Sequence, residues 1–107
     1  MKITDIKTFI VDAGWRPWMF VKVETDEGLV GWGECSDGKS PHGIEGVIRD
    51  LKPSLIGKDP RAFEMRFNEM AINTRQSRWG VAAKALAGLD CAFIDIKAKA
   101  LGISVAE

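Results

Sequence analysis

The sequence predicts an α+β fold, a three-stranded antiparallel meander sheet followed by a three-helix bundle. Three observations carry that prediction. Strand-forming residues with period-two alternation are confined to the front of the chain. Apolar residues recurring every three or four positions occupy the remainder. The second and third strand-like runs are joined only by Thr25-Asp26-Glu27-Gly28, a link short enough to make them an antiparallel hairpin. Strands first and helices after is the order of a domain whose helices pack on a meander. A mixed domain whose first strand leaves the sheet is the alternative.

Ile3 to Val11 reads as the first strand, rich in Ile, Thr, Phe and Val. Apolar residues stand on both of its faces, so both are expected to be partly covered. Asp12 to Trp18 breaks the pattern with Gly14 and Pro17 and is a loop. Met19 to Thr25 and Leu29 to Cys35 form the hairpin. Gly31 and Gly33 weaken the last strand intrinsically, which implies that something approaches its backbone closely. Ser36 to Gly43 is a second polar loop, in which Ser40 can cap a helix opened by Pro41. Ile44, Val47, Ile48 and Leu51 form that helix's stripe, and Pro53 is expected to end it. Asp59-Pro60 repeats the cap-plus-proline pattern, with Phe63, Phe67 and Met70 as the second stripe. A third loop, Thr74 to Gly80, offers Ser77 as a cap for the longest helix. Ala82, Ala85, Leu86, Leu89, Phe93, Ile96 and Ala100 give that helix its stripe, which Ala87, Cys91 and Ile94 widen. Gly102 supplies its stop signal.

The chain has 107 residues, enough for one core. Fifteen basic and fifteen acidic residues cancel, so there is no overall basic footprint for nucleic acid or an anionic membrane. No apolar run approaches the roughly 20 residues of a membrane span. Cys35 and Cys91 make no disulfide framework; they read as small buried residues of a reducing, cytoplasmic compartment.

Four groups of residues could carry chemistry. Lys97 and Lys99 are two apart on a helix and so point in different directions; Asp95 is a surface partner for Lys99. Asp90 and Asp95 lie five apart, which turns them away from each other and favours structural anchoring over a metal site. Asp90 borders the apolar stripe and needs a hydrogen-bonding partner if buried. Glu34, at a strand end beside a polar loop, suits either a ligand or a nearby cation. Trp15, Arg16 and Trp18 in the first loop, with Lys39 and His42 in the second, combine cations and aromatics that would suit a small acidic ligand. They equally suit a loop stapled to the sheet with solvated cations.

The segment Ala85-Leu-Ala-Gly-Leu-Asp90-Cys-Ala-Phe-Ile-Asp95-Ile-Lys-Ala-Lys99, with Ser104-Val105 four residues on, resembles a signature of the mandelate racemase/muconate lactonizing enzyme group of the enolase superfamily. Phe93 departs from the small residue or leucine favoured there. Val23 to Glu34 is similar to that group's hairpin, and Leu55 to Pro60 to its interhelical link. The resemblance implies an enolase N-terminal-domain-like fold spanning residues 1–107, with the stretch after about residue 102 leading towards a barrel absent from this chain. It implies that Asp12 to Met19 and Ser36 to Gly43 close over a barrel mouth. Trp15, Arg16, Trp18, Lys39 and His42 would then be substrate-capping residues. The catalytic bases and the Mg²⁺ ligands would lie on the barrel, none of them in this chain, which would be inactive alone. The expected partners are the C-terminal barrel, a small acidic substrate such as an aldonic or aldaric acid, and further copies in a homo-oligomer. Likeness to sugar-acid members favours a dehydratase, with a racemase or cycloisomerase of the group as the alternative. A stand-alone binding module is the rival of a different class.

Overall fold

Strand-forming residues at the front of the chain do pair with one another. The computed structural model describes residues 1–12, 14, 17–36, 41–74 and 80–103. Strands β1 (Ile3–Asp12), β2 (Pro17–Thr25) and β3 (Val30–Glu34) form one antiparallel sheet in the order β1-β2-β3. The first strand therefore stays in the sheet. Helices α1 (Pro41–Leu55), α2 (Phe63–Asn73) and α3 (Val81–Leu101) follow.

Met19, Val21 and Val23 alternate along β2 and are fully buried on the helical side of the sheet. They join Ile44, Ile48 and Leu51 of α1 and Leu89, Phe93 and Ile96 of α3 in one core. The partial covering expected for both faces of β1 has a local cause. The register shifts between Ile3 and Asp5, so a bulge lets Ile3 and Ile6, three residues apart, both reach the core. Beyond it, Phe9, Ile10 and Val11 remain exposed.

The close approach inferred from Gly31 and Gly33 is made by α3. A Cβ on Gly31 would overlap the Ala92 carbonyl oxygen, and one on Gly33 the Gly88 carbonyl oxygen, both well inside 3.0 Å. In return, a Cβ on Gly88 would overlap the Cys35 sulfur. Helix and strand thus meet backbone to backbone at Gly31 and Gly33, with the Ile96 and Cys35 side chains packed beside the contact. Side chains then lock the pair. Asp95 accepts the Trp32 amide hydrogen at 3.1 Å, while Lys99 donates to the Val30 carbonyl at 2.7 Å and pairs with Asp95 at 3.0 Å. At its far end α3 stops as expected. Gly102 is left-handed, its N–H donates to Lys99 O and that of Ile103 to Ala98 O, a Schellman closure.

Several expectations need correction. Pro53 lies inside α1, which runs on to Leu55. In the last turn its missing donor costs one bond, and the extension buries Leu55 completely, worth about 2 kcal/mol. Asp59 does not cap α2. It accepts the Arg61 N–H at 2.9 Å and grips the Arg61 guanidinium at 2.8 Å, and α2 begins only at Phe63. The guanidinium holds the Asp59 carboxyl down at about 2. The buried positions of α2 are Arg66 and Met70, with Phe63 half-buried against the core as expected, whereas Phe67 is exposed; Glu69 pairs with Arg66 at 3.0 Å, which helps offset burial of the guanidinium. Ala87 and Cys91 are exposed because each stands two residues, about 200°, from the buried line through Ala85, Leu89 and Phe93; Ala100 is exposed too. Gly80, rather than a side chain, precedes α3, and Ser40 and Ser77 lie outside the described residues.

Gly33→Ala is expected to destabilise the chain by roughly 3 kcal/mol or more, since backbone must move, and Gly88→Ala by about 1–3 kcal/mol, since the buried Cys35 side chain must be displaced. Gly46→Ala in α1, where a Cβ meets nothing within 4 Å, should stabilise it by about 1 kcal/mol. Urea denaturation of the three variants measures both.

Candidate functional site

Antiparallel order brings the end of β1, the start of β2 and the end of β3 to one edge of the domain. The two polar loops leave from that edge, and α1 starts there. Ser36 holds the second loop's root. Its hydroxyl donates to Glu34 at 2.6 Å and accepts the Met19 N–H at 3.1 Å, while Cys35 N–H donates to Met19 O at 2.8 Å. Glu34 therefore spends one carboxylate oxygen on a structural tie. Nothing in the alternation of the strands singled out Ser36; only its place just beyond a strand end hinted at it.

Of the five proposed capping residues, Trp18 and His42 are described; Trp15, Arg16 and Lys39 lie outside the described residues. Trp18 is 39% exposed and meets Phe20 edge-on, with ring centroids 6.3 Å apart. It is thus half stapled to the sheet and half free. His42, in the first turn of α1, has its side chain 85% exposed, with Nδ1 3.8 Å from a Glu45 oxygen. Glu45 also accepts the Thr8 hydroxyl at 2.6 Å, which holds its carboxyl below the usual range, with Arg49 and His42 adding to the effect. An imidazole so placed can hydrogen-bond an anion approaching this end.

The model of the mandelate racemase/muconate lactonizing enzyme N-terminal domain matches residues 4–107. This chain belongs to that family. A D-galactonate dehydratase of Verminephrobacter eiseniae is 39% identical over 105 residues, which are 98% of this chain and 27% of the relative. An enolase from Agrobacterium radiobacter, solved with sodium and L-malate, has the same fold at a TM-score of 0.93 and 30% identity, over 98% of this chain and 27% of its own. An enolase from Pantoea ananatis, solved with D-gluconate and magnesium, matches at a TM-score of 0.87 and 35% identity, over 92% of this chain and 24% of its own. The chain thus spans about a quarter of the length of these proteins.

In this family member, the residues that look most like chemistry serve the scaffold. Lys99 and Asp95 bind the outer edge of β3, and Lys97 stands 5.1 Å from the Phe63 ring. Burial pushes the Cys35 thiol up to about 12, so it is no nucleophile. Among the described residues, no three His, Cys, Asp or Glu side chains gather to hold a metal ion. Among the described residues two buried side-chain atoms lack a hydrogen-bond partner, Arg66 Nε and Asp90 Oδ1, and burial raises the Asp90 pKa.

Because Asp90 is harder to ionise folded than unfolded, its charge destabilises the chain at neutral pH. Stability from this group returns as pH falls through its folded pKa towards the ordinary value of 3.8. Asp90→Asn is expected to raise stability at pH 7 by roughly 1 kcal/mol. That advantage should shrink towards pH 4, as read from urea midpoints of both proteins across pH.

Proposed function

We propose that this chain is the substrate-capping domain of a Mg²⁺-dependent enolase-superfamily enzyme that dehydrates an acid sugar. The reaction of the intact enzyme would be abstraction of the proton α to a carboxylate, then loss of a β-hydroxyl. The observation that carries this reading is the 39% identity with a D-galactonate dehydratase along 98% of the chain. The D-gluconate and magnesium held by the Pantoea ananatis structure agree with it, gluconate being an aldonic acid.

Among the described residues no three His, Cys, Asp or Glu side chains could seat the metal. Metal, bases and most of the substrate's contacts fall to the C-terminal barrel partner. The cap's contribution is binding and exclusion of water, both of which strengthen electrostatic interactions at a closed site. Trp18 offers an apolar wall at the loop edge, and His42 a donor suited to a carboxylate or hydroxyl. Trp15, Arg16 and Lys39 complete the set by their place in the same loops. Further copies in a homo-oligomer belong to the same reading.

The test joins the chain to a family barrel and screens acids with Mg²⁺. Turnover of aldonic or aldaric acids is expected; turnover of muconates or dipeptides alone would sink the dehydratase reading. In the active enzyme, Trp18→Ala and His42→Ala should each raise KM for the sugar acid about tenfold while changing kcat less, as loss of uniform binding does.

A further inference from the structure

The ladder between β2 and β3 does not end where its regular pairs do. The last regular pair is Phe20 with Glu34, yet Cys35 N–H still donates to Met19 O at 2.8 Å. Antiparallel partners of this kind exchange two bonds, so the Met19 N–H would ordinarily go to the Cys35 carbonyl. It goes instead to the Ser36 hydroxyl oxygen at 3.1 Å. A side chain thus stands in for half a rung, at the residue where the chain leaves the sheet. The hydroxyl proton is committed as well, to a Glu34 carboxylate oxygen at 2.6 Å. That charge-assisted bond holds the hydroxyl in one orientation and leaves its lone pairs for Met19. Carried two residues past Phe20 and Glu34, the same register sets Trp18 opposite Ser36. The amide that the hydroxyl takes is the one joining Trp18 to Met19. That peptide is planar, so its orientation is also that of the Trp18 carbonyl. On its other side Trp18 pairs with Val11 of β1.

We propose that Ser36 is a positioning residue of the cap, whose hydroxyl, oriented by Glu34, ties the Trp18–Met19 end of β2 to the root of the second loop. The inference rests on the capping role proposed for Trp18 and goes one step further: Ser36 acts on the substrate only through the place at which it holds the indole. A backbone rung would tie the strands equally well, but it would keep the chain in the sheet beyond Cys35. The side-chain rung lets the backbone turn away into the loop while the strand end stays fixed. Serine suits the place because one oxygen both donates and accepts. Ser36→Ala leaves the Met19 N–H without its partner at the border of the core, where Met19 is fully buried. Ser36→Thr keeps the oxygen, and Glu34→Gln keeps an acceptor for the hydroxyl.

Two signals of the 107-residue chain decide the tie. In Ser36→Ala the Met19 amide should exchange roughly tenfold faster or more in the native state, while the Val21 amide, paired with Gly33 in the ladder, keeps its rate. The indole N–H resonance of Trp18 should move, and that of Trp32 should not. Ser36→Thr and Glu34→Gln should match the wild type in both signals. If Ser36→Ala does not fold, Glu34→Ala, which leaves the hydroxyl unanchored, decides by the same signals. In the chain joined to a family barrel, Ser36→Ala should raise KM for the sugar acid about fivefold while changing kcat less, and Ser36→Thr should not. In a Trp18→Ala background Ser36→Ala should add nothing to KM, because its effect passes through the indole. A role in stability alone would leave KM of the folded enzyme unchanged. An unchanged Met19 rate, an unmoved Trp18 signal, an unchanged KM or full additivity with Trp18→Ala overturns the proposal. A joined enzyme that turns over no sugar acid contradicts the dehydratase reading, while the two signals of the chain still decide the tie.

Discussion

The contact between β3 and α3 is the constraint from which the rest of this domain follows. Glycine at positions 31, 33 and 88 lets the two backbones approach directly, with the Ile96 and Cys35 side chains beside them. A helix set so close cannot shift or rotate without collision. Its buried line is thereby fixed on Leu89, Phe93 and Ile96, and the faces of α1 and α2 that pack against it are chosen in turn. Glycine weakens a strand and a helix intrinsically, by roughly 0.5–1 kcal/mol at each position. Three such residues are sustained because the alternative at each is overlap of a Cβ with backbone or with the Cys35 sulfur.

The same seam organises the polar groups. Asp95 and Lys99 satisfy backbone atoms of an edge strand that would otherwise be open. The hairpin, held against α3, carries the ends of all the strands that border the two loops to one side. Trp18 and His42 lie at that side, on β2 and α1, whose placement is set by packing in the core. The capping role proposed for this domain would use this division: a rigid base, and loop residues free to differ between relatives.

Much of this was legible in the sequence, for identifiable reasons. Strand alternation in Met19, Val21 and Val23, and the three-four spacing around Leu89 and Phe93, report directly on burial. The glycines of β3 announced a close neighbour, though not which one. The positions that misled did so by local resemblance. Asp59-Pro60 has the letters of a helix cap, but Arg61 two residues on captures the carboxylate first. Pro53 is a helix breaker until Leu55 supplies a reason to continue. Cys91 and Ala87 are small and apolar, yet their angle on α3 turns them outward. Composition cannot reveal an angle. The capping role proposed for Trp15, Arg16, Trp18, Lys39 and His42 rests on family resemblance, since the same residue types fit a solvated surface equally well.

Native-state hydrogen exchange tests the primacy of the β3–α3 seam most directly. The amides of α3 between Gly88 and Ile96, with those of β2 and β3 that pair across the hairpin, should exchange last and only through global unfolding. Those of α2 should open earlier, at lower free energy. Exchange of the Gly88 to Ile96 amides by sub-global opening, while α1 or α2 stays protected, would contradict the account.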